Sequence, residues 1–134
     1  MIQAEREQGV PFKERFELLV ESGQADERTV DATRKALRIV ESHYDIQLTE
    51  ELGASLVNHL ATTLKRLLDG KTLSEATDIV WNELANYPEE VALAESIVAE
   101  LQKLLEIPLV RDEIGFIAIH LCKIKIEAGL NHGI

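Results

Sequence analysis

At 134 residues, 46% of them hydrophobic, the chain has the size and the apolar content for one domain with a real core. Its net charge of −10 argues against a broad footprint on nucleic-acid phosphates or anionic lipid, since both call for a basic face. One cysteine, Cys122, excludes an internal disulfide, and no run approaches the ~20 apolar residues of a membrane span. With no signal-peptide core in MIQAEREQGV, a soluble cytoplasmic protein is expected, without direct nucleic-acid or membrane contact.

Residues 1–10 are charged and weakly patterned and read as an N-terminal extension. Pro11 fits the first turn of a helix carrying Phe12, Phe16, Leu19 and Val20, with Gly23 as its stop. Asp26 is a candidate N-cap for a second helix with a stripe of Val30, Leu37, Val40 and Tyr44, widened by Ala36 and Ile39. The pattern breaks over residues 45–48. Thr49 then caps a third helix, where Glu50 and Glu51 suit the helix dipole and Leu52, Leu56, Leu60, Leu64 and Leu67 form the apolar stripe. Asp69-Gly70 ends it. Thr72 and Glu75 have capping-box spacing ahead of a short helix through Ile79, Val80 and Leu84. Pro88 opens the next helix, with Val91, Ala94, Val98, Leu101 and Leu105 on one side, and Ile107-Pro108 stops it. The last helix runs from about Asp112 to Ala128 and ends at Gly129. No convincing strand alternation appears. The expectation is an all-α bundle of five or six helices, one domain over residues 11–129, and a tail at 130–134.

Two histidines carry the chemical interest. On the last helix Glu113, Ile117, His120 and Ile124 share a side, next to an Ile114–Leu121–Ala128 face and a Phe116–Ile119–Ile126 face. A helix apolar on several sides is central in its fold or shared with a partner chain. His120 therefore faces a core, an interface or a pocket wall, and a hydrogen-bonded core histidine is one reading. His59 sits at the edge of the third helix's leucine stripe. Arg66 follows it on the same face, roughly 10 Å along the axis. Lys65, Lys71, Lys123 and Lys125 are cations near one ring or the other. A phosphoryl group on either imidazole would find Arg or Lys in reach, while the plainer reading makes these solvated surface charges. There is no HExxH and no paired Cys-His spacing, so neither a metal nor another cofactor is expected. Cys122 reads as a small core hydrophobe.

The stretch LVNHLATTLKRLLDG resembles the first signature of the PTS regulation domain (PRD) family, a histidine on an apolar helix with an arginine seven residues on, here His59 and Arg66. LEIPLVRDEIGFIAIHL resembles the second, with Pro108, Glu113, Ile114, His120 and Leu121 in place. The resemblance spans roughly residues 12 to 128, and it is the pairing of the two signatures that is specific. It implies a five-helix, usually dimeric domain regulated by the sugar phosphotransferase system. In that family the paired histidines accept phosphoryl groups from HPr or from enzyme IIB components, and the modification controls transcription or antitermination through dimer stability. His59 and His120 are then the phosphoacceptors, with Asn58, Arg66 and Glu113 beside the phosphate. Asn58 stands where the family often has Asp. The family domain usually occurs twice behind a nucleic-acid-binding module; one copy and no such module is seen here, so the chain is expected to be a stand-alone PRD or a fragment. The resemblance implies no enzyme. The alternative is an unmodified helical dimerisation or interaction module that binds another regulator.

Overall fold

The computed structural model describes residues 11–71, 78–109 and 111–130. Six helices are seen among them: α1 (Lys13–Glu21), α2 (Glu27–Tyr44), α3 (Glu50–Leu68), α4 (Asp78–Leu84), α5 (Pro88–Leu105) and α6 (Arg111–Glu127). No strand is present among the described residues. The Thr72–Glu75 capping box, the extension at 1–10 and residues 131–134 lie outside them.

Local signals set the helix ends. Asp26 caps α2 by accepting from the Thr29 amide at 3.0 Å, and Thr29 Oγ1 accepts from the Asp26 amide at 2.9 Å, closing a reciprocal box. Thr49 Oγ1 accepts from the Leu52 amide at the start of α3, and Pro88 stands in the first turn of α5. The start of α1 differs from expectation. Pro11 lies ahead of the helix, and Phe12 takes the N-cap position at a left-handed φ of 67°. The reason is packing. That conformation directs the buried Phe12 ring onto Gly53 of α3, so closely that a Cβ there would lie 2.6 Å from Phe12 Cζ.

The core is aliphatic. Leu56, Leu60 and Leu64 of α3 meet Ile97 and Leu101 of α5 and Ile117, Leu121 and Ile124 of α6, all almost fully enclosed. Each such side chain contributes about 1.5–3 kcal/mol through burial. The buried stripe of α2 is rotated from the expected one. It runs through Thr29, Ala32, Thr33, Ala36, Leu37 and Val40, leaving Val30, Ile39 and Tyr44 half-buried. Small residues there let α2 lie close to α3 and α5. Thr33 is tolerated inside because its hydroxyl donates to the Thr29 carbonyl at 2.7 Å.

Helix α6 is the hub, packed against α3, α4 and α5. Its α4 side is a close approach: Trp81 leaves 3.0 Å for a Cβ at Gly115, and the Arg111 guanidinium lies 3.8 Å over the Trp81 ring. Its opposite side carries Glu113 and His120 toward α3. No helix among the described residues is long and apolar enough to cross a membrane.

Candidate functional site around His59 and His120

Helix α6 presents residues 113, 116 and 120 on one face, since steps of three, four and seven fall near whole turns. His59 of α3 lies against all three. Its Nε2 is 3.3 Å from Glu113 Oε1, and its ring centroid is 5.3 Å from that of Phe116 and 5.2 Å from that of His120, tilted 40° to the latter. Phe116 thus borders the imidazoles, although periodicity groups it with Ile119 and Ile126. Glu113 is enclosed at 2% exposure, whereas His59 keeps 25%. An ionised carboxylate only accepts hydrogen bonds, so facing it the His59 Nε2 carries the proton.

His120 is half-buried. Burial, then the neighbouring charge of His59 and then that of Lys123, push its pKa from 6.5 down to about 4. The ring is neutral at pH 7 and keeps a nucleophilic lone pair. Among the described residues neither of its nitrogens has a hydrogen-bond partner, yet no buried side-chain nitrogen or oxygen is left without one. The His120 nitrogens therefore meet solvent.

The remaining predicted residues are placed around this pair. Asn58 is exposed and turned toward α1, its Oδ1 accepting from Arg15 Nη1 at 3.1 Å, while Arg15 also pairs with Glu50. Arg66 is exposed two turns further along α3. Lys65 donates to Asp69 at 2.6 Å, and Lys123 is exposed beside His120. Among the described residues no three His, Cys, Asp or Glu side chains converge to hold a metal ion.

Sequence reasoning missed a second buried carboxylate. Glu90, 1% exposed, accepts from the Tyr44 hydroxyl at 3.0 Å and lies 3.6 Å from Lys125 Nζ, joining α2, α5 and α6. Burial and the Glu90 carboxylate push the Tyr44 hydroxyl pKa well up. Glu90 sits beside Glu89 in the first turn of α5, where a carboxylate is common at a helix start. The available signal was its step of three, four and seven to Leu93, Ala94 and Ile97, which are all buried. Lys125 is held by this carboxylate and is not turned toward the imidazoles.

The PRD domain family matches residues 34–123, a span that includes both histidines. The GlcA/glcB genes antiterminator of Staphylococcus carnosus is 29% identical over 120 residues, covering 89% of this chain and 40% of that protein. Protein GlcT of Staphylococcus saprophyticus is 28% identical over 97 residues, covering 72% of this chain and 34% of its own. The chain thus spans well under half the length of these relatives. A crystal structure of GlcT CAT-PRDI superposes with a TM-score of 0.61 at 26% identity, over 73% of this chain and 57% of the other. A helical bundle that joins both signatures at one imidazole pair, matched across most of its length, belongs to the PRD domain family.

Proposed function

We propose that this chain is a regulatory domain of sugar-phosphotransferase-controlled antitermination or transcription, reversibly phosphorylated on histidine at the His59–His120 pair and acting through dimerisation or partner binding. The observation that carries this reading is the pair itself: two rings 5.2 Å apart on different helices, one neutral and open to solvent. Family membership and relatives named as antiterminators support it. Phosphorylation adds a charge of roughly −1.5 to −2, which an apolar face must either pair or expel. Ile119 and Ile126, 38% and 58% exposed on α6, support a homodimer whose stability that charge would alter. The phosphoryl donor is HPr or an enzyme IIB component. The donor carries the reactive bond, so the chain is a substrate and not an enzyme, and contact with nucleic acid falls to a separate module. The binding of Asn58 to Arg15, away from the rings, favours the second reading, an unmodified interaction module.

Incubation with enzyme I, HPr and labelled phosphoenolpyruvate tests the proposal. Label is expected on the wild type and absent from the His59→Ala, His120→Ala double variant. Label that persists in the double variant, or a wild type that takes none from any donor, refutes it.

A further inference from the structure

Helix α1 is seated differently from the other five. The closest helix–helix approaches all fall among α2 to α6, and α1 enters none of them. We propose that α1 is a detachable strap, which opens on its own from a folded α2–α6 body, and that the Arg15–Asn58 contact couples its docking to the segment of α3 that carries His59. Neither part depends on the phosphorylation proposed above.

A few side chains anchor the strap. The buried Phe12 ring is set against Gly53 of α3. Phe16, also buried, lies under the Arg34 guanidinium, 4.6 Å from its ring centre, and Arg34 Nη1 donates to the Pro11 carbonyl at 3.3 Å. Arg15 clips the outer side: its Nε donates to Glu50 Oε1 at 2.7 Å and its Nη1 to Asn58 Oδ1 at 3.1 Å. Elsewhere the seam is open. A cleft of about 580 Å³ runs between α1 and α2, floored by Phe16, Val20 and Val30. Leu18 and Val20 of α1 are 66% and 45% exposed. A helix that leaves this much apolar surface in water gains less from docking than one packed along its whole face.

The opening is a single event. At nine residues α1 is too short to stand as a helix alone, so it unwinds as it leaves. The left-handed φ of 67° at Phe12, costly for a bulky residue, is relieved in the same step. The body has no need of the strap at its boundary. Gly23, at φ 79°, turns the chain ahead of the buried Ala25, and the Asp26–Thr29 box caps α2 from within. Arg15 makes docking sensitive to charge on α3. Asn58 accepts from it as a neutral amide, and a carboxylate in that place would hold the guanidinium roughly twice as strongly. Docking is therefore set by the negative charge that faces Arg15 from Glu50 and from position 58.

Hydrogen exchange of the full chain, followed residue by residue by NMR at low urea concentrations, tests both parts. Corrected for intrinsic rates, the amides of residues 17–21 should exchange at least about tenfold faster than the slowest of α3 and α6, with little dependence on urea, since a local opening exposes little surface. Arg15→Gln should speed exchange in α1 about three- to tenfold and leave α5 unchanged. Asn58→Asp should slow exchange in α1 about two- to fivefold, a gain in protection that loss of structure would not produce. That gain should vanish in the Arg15→Gln, Asn58→Asp double variant. Residues 17–21 exchanging at the rate and urea dependence of α3 and α6 would overturn the strap, because α1 would then open only with the whole domain. An Asn58→Asp effect that is absent, or that survives without Arg15, would overturn the coupling.

Discussion

The depressed pKa of His120 makes the stability of the fold depend on pH in a way that can be calculated. The ring titrates at 6.5 when unfolded and at about 4 when folded, because burial, His59 and Lys123 disfavour its cation. Above pH 6.5 neither state binds the proton and the group contributes nothing to the pH dependence. As pH falls through 6.5 the unfolded chain takes up a proton that the folded chain refuses, so stability is lost until the folded ring titrates near 4. At pH 5 the full difference corresponds to about 2 kcal/mol relative to pH 7.5, from the linkage of proton binding to unfolding. The ring reaches solvent, so roughly 1 kcal/mol is the discounted expectation. The assay is urea unfolding of the wild type and His120→Gln at pH 7.5 and 5. Carboxylates also titrate over this range, but they are common to both proteins and cancel in the comparison. The variant should lose less stability than the wild type on acidification, by that amount. Equal losses in the two proteins would refute the reasoning, since the His120 ring would then be as easily protonated folded as unfolded.

Gly53→Ala should destabilise by about 1–3 kcal/mol in urea unfolding, despite the roughly 1 kcal/mol that Ala gains over Gly inside a helix, because its Cβ meets the Phe12 ring. Phe12→Leu in the same chain should recover part of the loss, as a double-variant cycle would show. At the second carboxylate, Lys125→Met should cost more than Glu90→Gln. The lysine can turn to water, being 25% exposed, whereas Glu90 at 2% cannot, so stranding the carboxylate is worth about 1–3 kcal/mol more. Gly115→Ala should push Trp81 off α6, and the chain's single tryptophan then reports directly, with red-shifted fluorescence and loss of its stacking on Arg111.

Most helix boundaries were legible because they are written locally. Asp26, Thr49, Pro88 and the stop at Ile107-Pro108 act within a few residues of themselves, and the observed ends of α2, α3 and α5 follow them. The leucine stripe of α3 was legible for a related reason, since one residue type repeated at helical spacing has one face to bury. What local reading could not supply were the choices made by a neighbour. Phe12 adopts a left-handed backbone because of a glycine forty-one residues away. The buried face of α2 turned toward alanines and threonines because two other helices approach it, while hydrophobicity alone favoured Val30 and Ile39. Glu90 and Glu113 both stand in the first turn of a helix, and both are enclosed, each by a partner that only the tertiary fold brings.

That last point explains why the two signatures have to be read together. Taken alone, the α6 stretch offers a carboxylate on a nearly apolar helix, which would be costly to bury without a donor. Taken alone, the α3 stretch offers a histidine at the edge of a leucine stripe with nothing to fix its tautomer. Packing α3 on α6 resolves both at one contact, since Glu113 receives an N–H and His59 receives an orientation. The same contact leaves His120, one helical face along, as the ring without such an engagement. The pairing of the two stretches is therefore a requirement of charge burial: neither half is stable in its observed form without the other, and the asymmetry between the two imidazoles follows from which of them satisfies the carboxylate.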